Sequence, residues 1–422
     1  MLEQTNLNHP NWFWQIGDPH LSNEDWEKAY QKTISDFGFW TSDFKWKSTN
    51  PSVNKGITLS ENSMVVFING VLFEQQFDSD HLQLGHYKKL FYNLKPFIPR
   101  FLQIALRKIY RTSQEKEGLL KWPIEDRYVR FQYELIRHLM KEKGLSKIPS
   151  ISFWPGGKDF AFVLTHDVET KEGFNNIPKL VELEKQYGFH SIFNIVPERY
   201  PIDKNYLDIL RADGFEIGIH GLKHDGKLFF SRKIFSKRAQ KINAYLKEYN
   251  AKGFRSPLTH RNPEWMQELE IEYDMSFFDT DPYEVIPGGT MSIWPFFMGH
   301  FVELPYTLVQ DHTLLVILKE KTPRLWLEKV AFIERYKGMA LVIVHPDYMV
   351  KDEYFKVYEE FLREISKRNN YWHALPGEVA RWWRERAFRK LVAKNGKWEI
   401  LPYLEGSKVK EIRLNGKKLI LK

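Results

Sequence analysis

The sequence predicts an α/β protein built on a parallel sheet, open or closed into a barrel. Two observations carry this. Between residues 151 and 385, short apolar runs alternate with amphipathic segments, the pattern of repeated βα units. Polar, potentially reactive residues cluster directly after the apolar runs, where βα loops build sites in such folds.

The elements follow in order. Residues 1–150 read as a mostly helical accessory region. Trp and Phe are dense up to Trp46, and Asn50-Pro51 with Asn54-Lys55-Gly56 marks a loop. Met64–Ile68 reads as a buried strand, with an Asn69-Gly70 turn leading into Val71–Phe73 as a hairpin. From about 80 to 145 the pattern is helical, interrupted by Pro96, Pro99 and Pro123. In 151–385 the expected strands are Phe160–Thr165, Ser191–Val196, Glu216–Ile219, Gly253–Arg255, Tyr273–Phe278, Met339–Val344 and Tyr371–Ala374. The expected helices are Pro178–Tyr187, Lys204–Ala212, Ile234–Tyr249, Pro323–Tyr336 and Tyr354–Lys367. Residues 386–422 read as a basic β extension, with runs Trp398–Leu404 and Val409–Leu421 and an Asn415-Gly416 turn.

Composition removes whole classes. With 43% hydrophobic residues, 14 Trp and 31 Phe, the chain of 422 residues is not intrinsically disordered. Cysteine is absent, which excludes disulfide scaffolds, thiolate metal sites and cysteine nucleophiles and leaves His, Asp and Glu as metal ligands. The net charge of +8 is unevenly spread: residues 86–111 carry +7, residues 380–422 carry +9, and the remainder carries −8. A uniformly basic nucleic-acid binder is therefore a poor description, and no nucleic-acid partner is expected; a nucleic-acid-associated role resting on the basic tail is the least favoured alternative. The segment 87–111 interleaves Lys and Arg with Leu, Phe and Ile, which fits first a helix packed on the barrel with its cations solvated and second a peripheral contact with an anionic membrane. The start, MLEQTNLNHPNWFWQ, has no apolar core of signal-peptide length, and the expected compartment is the cytoplasm. The oligomeric state is not legible.

Five constellations could carry chemistry. Thr165-His166-Asp167-Val168-Glu169 ends an apolar strand, and alternation puts Asp167 and Glu169 on one face with His166 and Val168 on the other. His220 and His224, four residues apart with Gly221 between them, can bring two imidazoles to one metal. Arg255 before Ser256-Pro257 can orient a carboxylate through a bidentate bond. Tyr273–Tyr283 holds Asp274, Asp279 and Asp281 before Gly288-Gly289. Ala340–Val344 delivers His345 to a strand end.

Taken in this order, the motifs resemble the polysaccharide deacetylase family (carbohydrate esterase family four) over about residues 155–385. Thr165-His166-Asp167-Val168-Glu169 stands where the family has Thr-aromatic-Asp-Asp-Gly or an Asp-x-Asp/Glu variant, followed by Ser191–Asn194, the His220–His224 pair, Arg255-Ser256-Pro257, Asp279-Thr280-Asp281 and Leu341-Val342-Ile343-Val344-His345. The resemblance implies a distorted barrel of seven strands and seven helices. It also implies metal-dependent hydrolysis of an N-acetyl, less often O-acetyl, group on a sugar of a polysaccharide, oligosaccharide or lipid-linked glycan. A divalent ion, zinc first, would be held by Glu169, His220 and His224, since the family's usual second Asp is Val168 here. Asp167 would be the general base, Arg255 its partner, and His345 the general acid with Asp279 keeping it charged. A backbone N–H just after Pro257 would help hold the oxyanion. Gly221 stands where the family has Ser or Thr. The alternative is a catalytically weakened or inactive member that binds a glycan. Trp265, Tyr283, Trp294 and Phe296 are candidates to stack on sugars, or core residues; Glu303–Tyr306 and Asp311-His312 are polar candidates without an assigned role.

Overall fold

The computed structural model describes residues 7–17, 21–36, 63–77, 80–85, 89–90, 94, 120–416 and 418–421. The basic run 87–111 thus lies outside the described residues apart from positions 89, 90 and 94. No helix among the described residues is long and apolar enough to cross a membrane.

The chain enters the sheet region through β1 (Lys147–Ile151), which lies apart from the main wall. That wall starts with β2 (Phe160–Val168), buried along its whole length, as a strand covered on both faces must be. It continues through β3 (Ser191–Ile195), β4 (Glu216–Ile219), β5 (Gly253–Phe254) and β6 (Tyr273–Asp274). β7 (Phe296–Met298) and β8 (Phe301–Glu303) form a hairpin, and β9 (Met339–Val344) and β10 (Tyr371–His373) complete the set. β9, β2, β3, β4, β5, β6 and β8 are successive parallel neighbours, and β7 lies antiparallel on β8. The sheet curls back on itself: Thr307 N and Leu308 N donate to Leu341 O at 3.1 and 3.0 Å, and Thr307 Oγ1 donates to Met339 O at 2.6 Å. The result is the expected α/β architecture, a distorted barrel wall with helices outside it.

Helix starts follow the capping residues. Thr170 accepts from Gly173 N at the head of Lys171–Gln186, Asp203 from Asn205 N and Tyr206 N at Lys204–Ala212, and Ser231 from Ile234 N at Arg232–Glu248. Two expectations are corrected. Met64–Ile68 lies within a helix, Ser63–Leu72, which buries Met64, Val65, Ile68, Val71 and Leu72; a short apolar run has no period of its own, and packing decided it. The helix expected from Pro178 begins at Lys171, with Pro178 inside it. The strand expected at Tyr371–Ala374 forms over Tyr371–His373 and pairs with the first residues of β2, on the edge that β3 takes up farther along. The place beside β6 belongs to Phe301–Glu303, too short to register as a periodic run.

The flanks pack into the barrel. β1 pairs with β13 (Val409–Asn415) and β13 with β14 (Lys418–Leu421), while β11 (Lys390–Lys394) and β12 (Lys397–Leu401) form a separate hairpin. One hydrophobic core runs from Trp14 to Ile412. Arg386, 1% exposed, donates to Phe13 O, Ile151 O and Ser152 O at 3.0, 3.1 and 2.9 Å and so ties the start of the chain, the entry to the barrel and its last helix together. Glu74 reaches from the N-terminal region to Arg261, with both side chains at 0% exposure and Nη2–Oε1 at 2.6 Å. Glu74→Ala would strand that guanidinium and should cost about 3–5 kcal/mol of stability, read as a lowered urea midpoint with an unchanged slope.

Candidate functional site

Four strand ends of the wall build one cluster. β2 carries Asp167 and is followed by Glu169; β4 is followed by His220, β5 by Arg255 and β9 by His345. The alternation along β2 separates two chemistries. His166 turns away, with Nε2 2.6 Å from Glu184 Oε1 and both side chains fully buried, and Val168 is buried in the core. Asp167 and Glu169 face the cluster. With the residue at 168 turned to the core, the longer Glu169 side chain brings Oε1 to 2.8 Å from His224 Nε2.

The ligand atoms of Glu169, His220 and His224 all lie within 4.8 Å of one another. His220 Nδ1 is 3.0 Å from Arg255 O, so Nδ1 carries the proton and donates. Its Nε2 is left as a bare acceptor, buried and without a hydrogen-bond partner. His224 Nε2 is likewise buried with no hydrogen bond, although it lies close to Glu169. An orphaned His220 nitrogen and a His224 nitrogen facing only the Glu169 carboxylate fit a divalent cation, and a neutral His with a fixed distant N–H, as His220 has, is the form in which imidazole binds metal. Glu169 is braced in turn, since Asp347 Oδ2 accepts from Glu169 N at 3.0 Å and Asp347 also takes the Thr170 hydroxyl. Gly221 adopts φ 63°, and a Cβ there would lie 2.5 Å from Pro257 Cγ and Cδ, so Ser or Thr is sterically barred.

Arg255 is fully buried. Its Nη1 donates to Thr165 Oγ1 at 2.7 Å and to Asp167 Oδ1 at 3.2 Å, and its Nε donates to Met275 O at 2.9 Å. Asn194 Nδ2 donates to the same Asp167 oxygen at 2.9 Å. Burial alone would raise the Asp167 carboxyl; Arg255, then His220 and His345, overcome it and hold it at about 2. Glu169 is likewise held well below its ordinary range, burial being outweighed by His224 first. Burial depresses His220 to about 4.

His345 is set the other way. Its Nδ1 lies 2.6 Å from Asp311 Oδ1, its backbone N donates to Asp311 Oδ2 at 2.7 Å, and its Nε2 faces Glu169 Oε1 at 3.7 Å. Burial pulls the imidazole down, but Asp311, then Glu169 and Asp167, raise it to about 10. The expected partner, Asp279, is not there. It forms a buried ion pair with Lys329, Nζ lying 2.8 and 3.1 Å from its two oxygens, and burial lifts it to about 6 against that lysine. A cation from the helix Arg324–Arg335 claims Asp279, which leaves the imidazole to Asp311 at the head of the π-helical turn His312–Ile317. The sequence signal for Asp311 was faint: an acid after an apolar run, with no motif around it. Asn194 and Asp347 also stand next to recognised motifs without a spacing that reveals their roles.

The aromatic candidates resolve towards packing. Trp294 and Phe296 are core residues, Trp265 stacks on Phe229 with centroids 6.1 Å apart, and Tyr283 meets Trp122 edge-on at 5.0 Å.

No family model and no curated protein matches the sequence. Among solved structures, the chain is similar to a protein assigned as a polysaccharide deacetylase from Mycobacterium smegmatis, at 18% identity and TM-score 0.46, covering 58% of this chain and 96% of that one. It is similar to Puue allantoinase at 13% identity and TM-score 0.44, covering 55% and 92%. It is also similar to the peptidoglycan deacetylase PdaC from Bacillus subtilis at 13% identity and TM-score 0.37, covering 55% and 95%.

The Asp167 environment sets a pH dependence. Its folded pKa of about 2 lies below the unfolded value of 3.8, so the stability it contributes is present above the unfolded value and is lost as pH falls through the folded one. Urea unfolding at pH 5, 4 and 3 should show wild type losing stability faster than Asp167→Asn, with the two curves converging as acid is added.

Proposed function

We propose that the chain is a metal-dependent hydrolase that removes an N-acetyl, or O-acetyl, group from a sugar in a polysaccharide, oligosaccharide or lipid-linked glycan. On this reading residues 151–385 are the catalytic barrel, 1–150 an accessory region and 386–422 a basic extension. The observation that carries it is the pairing, in one cluster, of a three-ligand group with a carboxylate held ionised and an imidazole held protonated.

Glu169, His220 and His224 are the residues that would hold the ion, and two imidazoles with one carboxylate suit zinc while leaving a position open. When bound, such an ion polarises the acetyl carbonyl and acidifies water, which lets a base as weak as Asp167 take the proton. Asp167 accepts that proton on the carboxylate that Arg255 and Asn194 orient. Arg255 touches no reacting atom; it positions Asp167 through Nη1 and the His220 ring through its own carbonyl. The oxyanion side is assigned to the backbone N–H of Leu258, where the turn after Pro257 runs through two left-handed non-glycine residues, Leu258 at φ 60° and Thr259 at φ 50°. Such strain persists only when the surroundings enforce it. His345 donates from Nε2 to the leaving nitrogen, and Asp311 keeps the ring charged and fixed. An amide needs that proton, because an amine anion does not leave.

Acetate release from N-acetylglucosamine oligosaccharides with added Zn²⁺ tests the reading. Asp167→Ala and His345→Ala should each lower kcat by about 10²–10⁴. Metal analysis should find about one ion per chain, lost in the His220→Ala/His224→Ala double variant. A metal-free wild type whose Asp167→Ala variant releases acetate at the same rate overturns the reading, and glycan binding with no release leaves the non-hydrolytic alternative. Asp311→Asn should lower kcat at least about tenfold and shift the basic limb of the kcat–pH profile down. Asp279→Asn should leave that limb in place, because its partner is Lys329.

A further inference from the structure

A second cavity lies away from this cluster, on the side where the chain enters the barrel, and none of the catalytic or ligand residues lines it. Its walls are the N-terminal segment around Trp12 and Gly17, β1, β13 and the overhanging β11–β12 hairpin. Its volume is about 1400 Å³, above the roughly 300–1,000 Å³ usual for a single small ligand, so the space suits an oligomer.

The lining has two characters. Trp12, Phe388 and Trp398 supply aromatic faces, and Phe388 is 42% exposed. Trp398 is held in place by Gly17, where a Cβ would lie 2.9 Å from the indole Cζ3. Lys147, Arg389 and Lys390 are the cations of the lining and Glu411 its acid, while the Lys410 ammonium turns away towards Gly157 and Asp159. Glu411 is already taken, by Lys147 at 3.4 Å and by Arg413. Arg389 has Glu385 only at 4.0 Å, and its Nε is buried with no hydrogen-bond partner. Lys390 is in no ion pair among the described residues. A buried, unpaired guanidinium nitrogen beside an unneutralised lysine is an unmet demand for anionic oxygen.

We infer that this groove binds an acidic oligosaccharide, a glycan strand bearing carboxylates, and holds the polymer on which the catalytic cluster acts. The inference rests on the reading above for the ligand being a glycan. Aromatic faces take the apolar faces of sugar rings, and cations interspersed with them match a strand with a charge on some rings rather than on all. A nucleic acid, with a charge at every residue, fits less well, because Lys147 is already taken by Glu411 and only Arg389 and Lys390 are left in the lining to meet an anion.

The test reads binding alone. Full-length protein carrying Asp167→Ala, to block turnover, is titrated calorimetrically with a hyaluronan octasaccharide, with cellohexaose as the neutral sugar and an oligo-dT as the non-sugar polyanion. Hyaluronan binding is expected, weakened about tenfold or more by Trp398→Ala and by Arg389→Gln with Lys390→Gln, with circular dichroism unchanged. Cellohexaose should bind far more weakly. Absence of hyaluronan binding at low salt, binding untouched by these substitutions, or equal affinity for oligo-dT overturns the assignment. Trp398→Ala in the otherwise wild-type chain should release acetate from a short neutral oligosaccharide at the parental rate. Hyaluronan binding without any acetate release would remove the hydrolase reading and leave the groove in place.

Discussion

The buried ion pair between Arg255 and Asp167 is the constraint around which the barrel end is organised. Two charges with side chains 0% and 5% exposed are tolerable only if each is paired and hydrogen-bonded. Thr165 and Met275 bond the guanidinium, whose Nη2 stays buried without a hydrogen-bond partner, and Asn194 bonds the carboxylate, so that strands β2, β3 and β5 and the segment after β6 meet at this pair. The same residue uses its carbonyl to fix the tautomer of His220. A single arginine thereby orients a carboxylate through its side chain and an imidazole through its backbone. Any displacement of the turn at 255–259 moves both at once.

Around that anchor, the environment drives similar groups apart. Burial opposes ionisation of Asp167 and protonation of His345 alike, yet each is overcome by a partner of opposite sign: Arg255 for the acid, Asp311 for the base. His220, whose ring bonds to a carbonyl and has a carboxylate only at 3.9 Å, follows burial and stays neutral. Two histidines on one wall thus differ in protonation because of what touches Nδ1: a neutral carbonyl in one case, a carboxylate in the other.

The flanking segments matter to this geometry because they are not separate bodies. Arg386 binds carbonyls from the first helix and from the entry to β2, and Glu74 braces Arg261, six residues beyond Arg255. The segments before and after the barrel are tied to it at its entry and at Arg261, and between them lies the groove lined by Trp12, Phe388 and Trp398.

The sequence by itself determined what is local. Alternation along β2 put Asp167 and Glu169 on one face, the four-residue spacing of His220 and His224 allowed a shared ion, and buried strands such as Met339–Val344 announced themselves as uninterrupted apolar runs. Short elements escaped it, because a three-residue strand such as Phe301–Glu303 has no period to detect and a run such as Met64–Ile68 fits two. Only the tertiary structure decided the long-range pairings. Asp279, from its motif, is the partner the sequence offers for His345, and the structure gives that place to Asp311 because Lys329, a cation 50 residues from Asp279, folds onto Asp279. Likewise, whether glycine at 221 is a loss or a requirement depends on Pro257, which packs against it from another strand's loop. Spacing encodes what neighbours along the chain can do; which distant charge arrives first is a property of the packed interior.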